Sequence, residues 1–252
     1  MEQERKKNKE VQLFCREFYG KIGKAIHDFD LIQDGDNVLV GVSGGKDSLA
    51  LLITLAERAR SSKIPYKVYA AHIRSTVAEY ETDTSYLQEL CGSLGVELIL
   101  ESIDAQIEDG SKKPMCFVCA WHRRKKLFEI AKRINCSKLA FGHHRDDVVT
   151  SLLMGMFFNG TIASMPAKLS MFNGELQLIR PLIYLSEQEI REFAKLRGFK
   201  EQVKRCKYEA STNRNRVEEL LNSIEQFAPE VRESLFASMS NIKTDYLPLV
   251  EN

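Results

Sequence analysis

The stretch 40–48 reads VGVSGGKDS and has the composition of an anion-binding loop. Gly44 and Gly45 allow the backbone to approach a phosphate without a Cβ clash, and Lys46 adds a positive charge. If a helix begins near this point, its first N–H groups also face the anion. The two serines of the loop can donate hydroxyl hydrogen bonds. The loop therefore predicts phosphate binding.

The loop departs from the common nucleoside-triphosphate pattern G-x-x-x-x-G-K-S/T, because Val40 takes the place of the first glycine and Asp47 follows Lys46. A carboxylate does not favour phosphate by its charge, but it can hold Mg²⁺ or position a reacting group. The alternative is a plain strand-to-helix turn that uses glycine for geometry alone. That alternative leaves Ser43 and Ser48 unexplained, together with the lysine and the aspartate.

Three of the six cysteines form a second candidate centre. Cys116 and Cys119 form a C-x-x-C motif, and Cys206 lies between Arg205 and Lys207. A thioredoxin-type redox pair needs the motif at a helix start after a strand. A structural zinc ion usually has four ligands, and an iron–sulfur cluster held by three thiolates has one open iron. A chance C-x-x-C is the remaining alternative, and the residues alone leave all four open.

Hydrophobic periodicity predicts strands and helices that alternate along the chain. Strands are expected at 37–42, 66–73, 96–100, 138–142 and 176–179. Helices are expected at 1–30, after the phosphate loop, at 82–95, 121–135, 143–158 and 186–197, and from residue 211. This order is typical of an α/β protein with a doubly wound, mostly parallel sheet. The segments 104–113 and 159–173 are predicted to be mobile insertions.

Three domain segments are expected: a helical N-terminal extension at 1–35, an α/β domain at 36–200 that carries the phosphate loop and the C-x-x-C motif, and a helical C-terminal segment at 201–252 that carries the third cysteine. In doubly wound sheets, ligands bind at the carboxyl ends of the strands near the topological switch point. The phosphate loop follows the first predicted strand, the second predicted strand ends at His72 and Ile73, and the fourth ends at the segment from Gly142 to Asp147. They are therefore expected to line one crevice.

Composition narrows the class of protein. The chain has 252 residues, is 44% hydrophobic and 28% charged, and has a formal net charge of +1. No apolar run is long enough to span a membrane and the N-terminus is polar, so neither membrane insertion nor secretion is expected. Basic residues cluster at 122–126 and 195–216, beside the candidate cysteines. Buried, reduced thiols are predicted for Cys15, Cys91 and Cys136.

Several segments resemble known families. SGGKDS after a strand resembles the signature of the PP-loop pyrophosphatases, which cut ATP between its α- and β-phosphates. CFVCAWHRRKKLFEIA, KLAFGHHRDDVVTSLLMGMFFNG, SMPAKL and LIRPLIYLSEQEI resemble the corresponding segments of the tRNA 2-thiocytidine synthetase family. This resemblance covers about residues 36 to 220. It implies an adenine nucleotide alpha hydrolase-like fold and adenylation of a substrate oxygen, with release of pyrophosphate.

The resemblance also implies site residues and cofactors. A [4Fe-4S] cluster would be bound by Cys116, Cys119 and Cys206, and Mg²⁺ would accompany ATP. The implied nucleotide site comprises Ser43, Gly44, Gly45, Lys46, Asp47, Ser48, His72, Gly142 and His143. Asp47, Arg123 and Asp146 are expected around the reacting centre, with the two aspartates holding Mg²⁺ or moving a proton. Arg123 would neutralise developing charge.

The implied activity is ATP-dependent tRNA thiolation, most directly at the C2 position of cytidine 32. The implied partners are tRNA, a sulfide or persulfide donor of the cysteine desulfurase type and a second copy of the chain as a homodimer, in the cytoplasm. Two alternatives remain from the sequence. One is sulfur transfer to another nucleotide or a small molecule. The other is a nucleotide-binding module whose cysteines sense redox state or metal; a lysidine-type ligase would have no use for three cysteines.

Overall fold

The computed structural model describes residues 2–75, 83–104, 115–200 and 213–247. Side chains are described for all of these except residues 2–5, 7, 115 and 116. The strands are β1 (Asn37–Gly41), β2 (Lys67–Ser75), β3 (Glu97–Ile103), β4 (Lys138–Ala140), β5 (Lys168–Met171) and β6 (Leu176–Ile179). The helices are α1 (Glu2–Asp28), α2 (Lys46–Ser61), α3 (Thr84–Leu94), α4 (Met115–Arg133), α5 (Arg145–Asn159), α6 (Glu187–Leu196), α7 (Asn213–Glu225) and α8 (Val231–Ser238).

The strands form one six-stranded sheet in the order β3-β2-β1-β4-β6-β5. All neighbouring pairs are parallel except β5 with β6. The predicted doubly wound, mostly parallel sheet is confirmed. Chain order reverses direction between β1 and β4, so these adjacent strands define the switch point at which such sheets bind ligands.

Burial on both faces explains the apolar runs of the central strands. Val38, Leu39 and Val40 of β1 are fully buried, as expected for a parallel strand covered by helices. Lys138 of β4 is the exception, with 4% exposure. Its ammonium lies 3.6 Å from Asp36 and donates to Gln177, its register partner on β6. A buried ammonium needs such partners, so this pair helps to fix the β4–β6 register.

The chain divides into two compact units. The first unit comprises Met1–His144 and Pro166–Ala210, and the second comprises Arg145–Met165 and Ser211–Asn252. The first holds the sheet with α1, α2, α3, α4 and α6, and the second is built from α5, α7 and α8. In the second unit, Val149 and Leu153 of α5 pack with Val217 and Leu221 of α7. The domain boundaries expected at residues 35 and 200 stay a prediction.

Packing of α1 on α6 anchors the N-terminal helix in the first unit. The Phe18 and Phe193 rings are stacked, with centroids 4.2 Å apart and an interplanar angle of 5°. Both side chains are almost fully buried. At the start of α6, the Ser186 hydroxyl accepts from the Glu189 amide and the Glu189 carboxylate accepts from the Ser186 amide. This capping box confirms the predicted helix start.

Two sequence predictions were wrong. Helix α4 begins at Met115, so the C-x-x-C motif lies inside the helix instead of before an expected start at residue 121. The helix follows Pro114, and proline commonly precedes or opens a helix. The segment 159–173, expected to be a mobile insertion, contains β5. This four-residue edge strand depends on pairing with β6, and it is too short to show a periodicity in sequence.

The predictions for the three cysteines expected to be buried, for the insertion at 104–113 and for membrane-spanning helices have the following outcomes. Cys91 and Cys136 are buried as predicted, and burial raises the pKa of the Cys91 thiol to about 11 and that of Cys136 to about 12. Cys15 is only half-buried. The predicted insertion at 104–113 lies almost wholly outside the described residues. Among the helices that the structure describes, none is long and apolar enough to cross a membrane.

Candidate active site

The phosphate loop connects β1 to α2 at the carboxyl end of the sheet. Gly44 has a φ of +84°, a conformation that glycine adopts without strain. Gly45 occupies the N-cap of α2, and no side chain caps this end among the described residues. The first turn of α2 therefore presents backbone N–H groups, and the positive end of the helix dipole, toward the loop. This arrangement fits the terminal phosphates of a nucleotide.

The two serines hold the shape of the loop. The Ser48 hydroxyl donates to the Gly45 carbonyl at 2.9 Å and accepts from the Ser43 amide at 3.1 Å. The Ser43 hydroxyl lies 3.2 Å from that of Ser48 and accepts from the Gly45 amide at 3.3 Å. Ser48 is buried, so its main contacts are inside the loop. Ser43 is the more accessible of the two hydroxyl groups.

Gly142, directly after β4, lies against the first turn of α2. A Cβ atom there would lie 2.8 Å from the carbonyl carbon and oxygen of Asp47 and 3.0 Å from the Ser48 nitrogen. These neighbours are backbone atoms, which cannot move away as a flexible side chain would. The close approach of the two segments requires glycine at this position. It brings the strand end of β4 to the phosphate loop, as predicted.

Lys46 is held by two carboxylates. Its ammonium lies 3.2 Å from Asp47 and 3.1 Å from Glu187, the first residue of α6. Burial alone would lower the pKa of Lys46, but these two carboxylates raise it overall, so the side chain stays charged. Burial likewise would raise the pKa of Glu187, and the hydrogen bond and charge of Lys46, with Arg191, lower it overall.

Glu187 was not identified from the sequence. Its acidic side chain in the first turn of α6 is explained by the helix dipole alone. The contact with Lys46 depends on the position of α6, which the stacking of Phe18 on Phe193 helps to fix. Ser186 is the N-cap of α6, and such a residue indicates where a helix starts. No local pattern indicated that the start of α6 would face the phosphate loop.

His72 lies at the carboxyl-terminal part of β2 and is 3% exposed. Its Nδ1 lies 2.7 Å from the Val42 carbonyl, so this nitrogen carries the proton and donates. Burial lowers the pKa of His72, the Val42 carbonyl opposes this shift, and the positive charges of Arg123 and Arg74 lower it further. The imidazole is therefore neutral.

His143 and His144 follow Gly142. His144 is buried, and its Nε2 lies 3.9 Å from an Asp47 oxygen. His143 is half-buried, and its ring centroid lies 5.7 Å from that of Phe141. The two rings thus have different surroundings.

The C-x-x-C motif lies in the first turns of α4. Cys119 is half-buried and packs against the core cluster that includes Leu127 and Ile130 of the same helix. Cys116 lies one turn earlier, and positions three residues apart share one side of a helix. Helix positions with this spacing can supply two ligands to one metal centre. Arg123 follows Cys119 by one further turn, on the same side.

The predicted ligand set is only partly described. The part of the chain that the structure describes contains no group of three or more His, Cys, Asp or Glu side chains arranged to hold a metal ion. The Cys116 side chain and the whole of Cys206 lie outside the described residues. The assignment of all three cysteines therefore stays a prediction.

Asp146 belongs to the second unit, in the first turn of α5. It is 7% exposed, and one carboxylate oxygen lies 3.3 Å from Nε of Arg145. Its neighbour Asp147 pairs with Arg214 of α7. The predicted role of Asp146 beside the phosphate loop stays a prediction.

The sheet order, the loop after β1 and the glycine after β4 define a class, the PP-loop domains. The family described as "PP-loop domain" matches residues 14–225 of the chain.

Comparison with curated relatives identifies a family within the PP-loop class. The tRNA-cytidine(32) 2-sulfurtransferase of Pelobacter propionicus is 37% identical over 245 residues, covering 95% of this chain and 90% of the relative. That of Geobacter sulfurreducens is 37% identical over 234 residues, covering 90% of each. The chain belongs to the tRNA-cytidine(32) 2-sulfurtransferase family within the PP-loop class.

A solved structure supports the fold. The U34-tRNA thiolase of Methanococcus maripaludis, determined with its [4Fe-4S] cluster, superposes with a TM-score of 0.76 and 24% sequence identity. The match covers 90% of this chain and 78% of that protein. With 24% of the residues identical, the structural similarity of the two proteins establishes that they share a fold.

Proposed function

We propose that the protein is an ATP-dependent tRNA sulfurtransferase that replaces the C2 oxygen of cytidine 32 with sulfur. The observation that carries this proposal is the grouping of functional segments in the first unit. The phosphate loop, His72, Gly142 and the C-x-x-C helix all lie toward the carboxyl end of one sheet. The names of the curated relatives supply the substrate, a tRNA cytidine.

The first step is activation of the base. The C2 oxygen of the cytidine attacks the α-phosphorus of ATP, the bond to the β-phosphate oxygen breaks, and pyrophosphate leaves. Lys46 and the first-turn N–H groups of α2 bind the departing phosphates. Asp47 lies at the same helix start, where its carboxylate can hold Mg²⁺. Neutral His72, fixed by Val42, shapes the adjacent strand end without adding charge.

The second step is displacement of AMP by sulfur, with the C2–O bond broken and a C2–S bond formed. Cys116, Cys119 and Cys206 would hold a [4Fe-4S] cluster, which would supply the sulfur nucleophile for this step. The helical position of Cys116 and Cys119 fits two ligands of one centre. Arg123, on the same side of α4, would neutralise the negative charge that develops on the adenylate oxygen.

A pair of variants separates the two steps. Lys46→Ala is expected to abolish tRNA-dependent pyrophosphate release while leaving the cluster intact. Cys119→Ser is expected to lose the cluster and thiolation while still releasing pyrophosphate in the presence of tRNA. Cys15→Ser is the matched control, because Cys15 is a half-buried cysteine of α1, and this variant should retain both activities.

The measurements are iron and sulfide content after anaerobic purification, pyrophosphate release and mass spectrometry of the tRNA nucleosides. About four irons per chain are expected in the wild type and the Cys15 variant. A single tightly bound zinc ion, or thiolation that survives in Cys119→Ser, would contradict the proposal. ATP binding without pyrophosphate release in the presence of cluster, sulfide and tRNA would indicate a regulatory module instead.

A further inference from the structure

From one exposed face of α4 we infer a further RNA site: the face stacks unpaired bases of the RNA substrate, with Trp121 at its centre. The site lies apart from the cysteine side of the helix and rests on the proposed function, which supplies the RNA. The residues of this Trp121 face are Trp121, Arg124, Lys125, Phe128 and Lys132, with Phe172 from the β5–β6 turn.

Helical spacing separates this face from the candidate catalytic side. Residues four and seven positions beyond Trp121 return to the same side of a helix, which gathers Lys125 and Phe128 beside it. Cys119 and Leu127 lie on the core side instead, and the half-buried Phe128 lies at the border, where it also packs against the core cluster. Trp121 is 49% exposed, an unusual position for the largest aromatic side chain and one that favours a binding role.

The aromatic rings are held in fixed orientations. The Trp121 ring meets the His122 ring edge-on, with centroids 4.9 Å apart and an interplanar angle of 89°. Phe128 makes a similar edge contact with Phe172, at 5.5 Å and 81°. Phe172 is 53% exposed and has a φ of +52°, which bulky residues rarely adopt. The turn thus presents an aromatic ring at a conformational cost, as functional sites often do.

The charges of the face suit a polyanion. Arg124, Lys125 and Lys132 are exposed, and none forms an ion pair with a described residue. The Lys125 ammonium lies 5.6 Å from the centre of the Trp121 ring. By contrast, Lys126 and Arg133, at the edge of the face, are both paired with Glu101.

Exposed rings between such cations match the way proteins bind single-stranded RNA. Bases stack on aromatic side chains while basic residues contact the phosphates. An apolar protein partner would fit less well, because it would have to cover three cations that form no close ion pair with a described residue. The charge of one of them, Lys125, acts on the exposed carboxylate of Glu129. Unpaired nucleotides of the anticodon loop are therefore the occupant that this surface favours.

The chain itself provides a probe, since Trp121 is its single tryptophan. An anticodon stem-loop RNA is expected to quench the intrinsic fluorescence as it binds, whereas a fully paired duplex of equal length is not. ATP without RNA should leave the signal unchanged. The titration uses the full chain with its cluster, and filter binding measures the affinity independently of fluorescence.

Two substitutions test the ring face itself. Trp121→Leu should weaken stem-loop binding by about 5- to 150-fold, the effect of losing one stacked base, whereas Trp121→Phe should stay within a few-fold of the wild type. Trp121→Leu should raise KM for tRNA and leave kcat for pyrophosphate release unchanged. Phe227→Leu, at an exposed position of the second unit, is the control and should have no effect.

The outcomes separate this inference from the proposed function. If tRNA binds and is thiolated, but fluorescence is unchanged and the Leu and Phe variants bind equally, only the stacking site is wrong. If the wild type neither binds tRNA nor releases pyrophosphate in its presence, both are wrong. Quenching by the stem-loop with selective loss in Trp121→Leu supports the site.

Discussion

Gly142 shows how a single hydrogen atom in place of a side chain sets the geometry of the phosphate loop. In Gly142→Ala, the new Cβ would lie 2.8 Å from backbone atoms of Asp47. Relief of this overlap must move the start of α2, so we expect a destabilisation of about 1–3 kcal/mol and a large loss of ATP affinity. Chemical unfolding and calorimetric titration with an ATP analogue measure the two effects.

Gly92→Ala is the matched control, because Gly92 is exposed in α3 and a methyl group added there would meet no other atom within 4 Å. Alanine is favoured over glycine inside a helix by about 1 kcal/mol, so this variant should be neutral or more stable and bind ATP normally. Equal behaviour of the two variants would show that the backbone contact at Gly142 is unimportant.

His72 makes stability depend on pH. Burial lowers its folded-state pKa below the usual value of 6.5, so between the two values the unfolded chain binds more protons than the folded one. Its contribution is complete above the unfolded pKa and declines as the pH falls below about 6.5. We expect His72→Gln to lose less stability than the wild type between neutral and mildly acidic pH.

Urea unfolding of both proteins at several pH values measures this difference. Glutamine can still donate to the Val42 carbonyl, so the comparison isolates the titration from the hydrogen bond. Parallel pH profiles for the two proteins would exclude His72 as the titrating group.

Among individual residues, those of the phosphate loop could be predicted from the sequence, because they form one short continuous motif. It did not identify Glu187, because the Lys46–Glu187 contact joins segments far apart in the chain. The roles assigned to Asp47, Arg123 and Asp146 are chemical expectations that the geometry alone does not test.

The packing of α1 on α6 is the element contact that supports the site. Phe193→Ala removes a ring that is fully buried against Phe18, and we expect a cost of about 3–5 kcal/mol in the free energy of unfolding. Since α6 carries Glu187, the variant should also weaken the hold on Lys46. Thermal and chemical unfolding provide the measurement.

Phe227→Ala is the comparison, since Phe227 is 77% exposed. Its effect should remain within about 0.5 kcal/mol. A similar cost for both substitutions would mean that the α1–α6 stack does not stabilise the fold.

Secondary structure was predictable where a long pattern or a specific cap was present. Strong apolar runs marked β1, and Asp83 with Gly95 marked the ends of α3, where Asp83 caps the first turn and Gly95 has a φ of 61°. Short or context-dependent features were not predictable. The edge strand β5 depends on its pairing with β6, which no local pattern reveals, whereas the early start of α4 had a local signal in Pro114 that the periodicity did not include.

Charge distribution, more than net charge, governs polyanion binding by the whole molecule. The net charge of +1 would predict little attraction to RNA, yet the cations of the Trp121 face form no close ion pair with a described residue. We expect the double variant Arg124→Gln, Lys125→Gln to reduce the slope of log affinity for tRNA against log salt by about 1–2.

The matched control is Lys63→Gln, Lys67→Gln, which removes two exposed lysines near the amino end of β2, opposite the phosphate loop. Its slope should equal that of the wild type. If both double variants change the slope equally, attraction to tRNA is spread over the surface instead of concentrated on α4.

The carboxylate of Glu187, 3.1 Å from Lys46, acts as an internal counter-ion before any nucleotide arrives. An incoming ligand must therefore displace an existing partner, which a single weakly charged group does poorly. Neighbouring phosphates compete far better, because several negative charges converge on one ammonium. Under the proposed adenylation, this exchange would favour binding of the triphosphate over AMP, which carries a single phosphate.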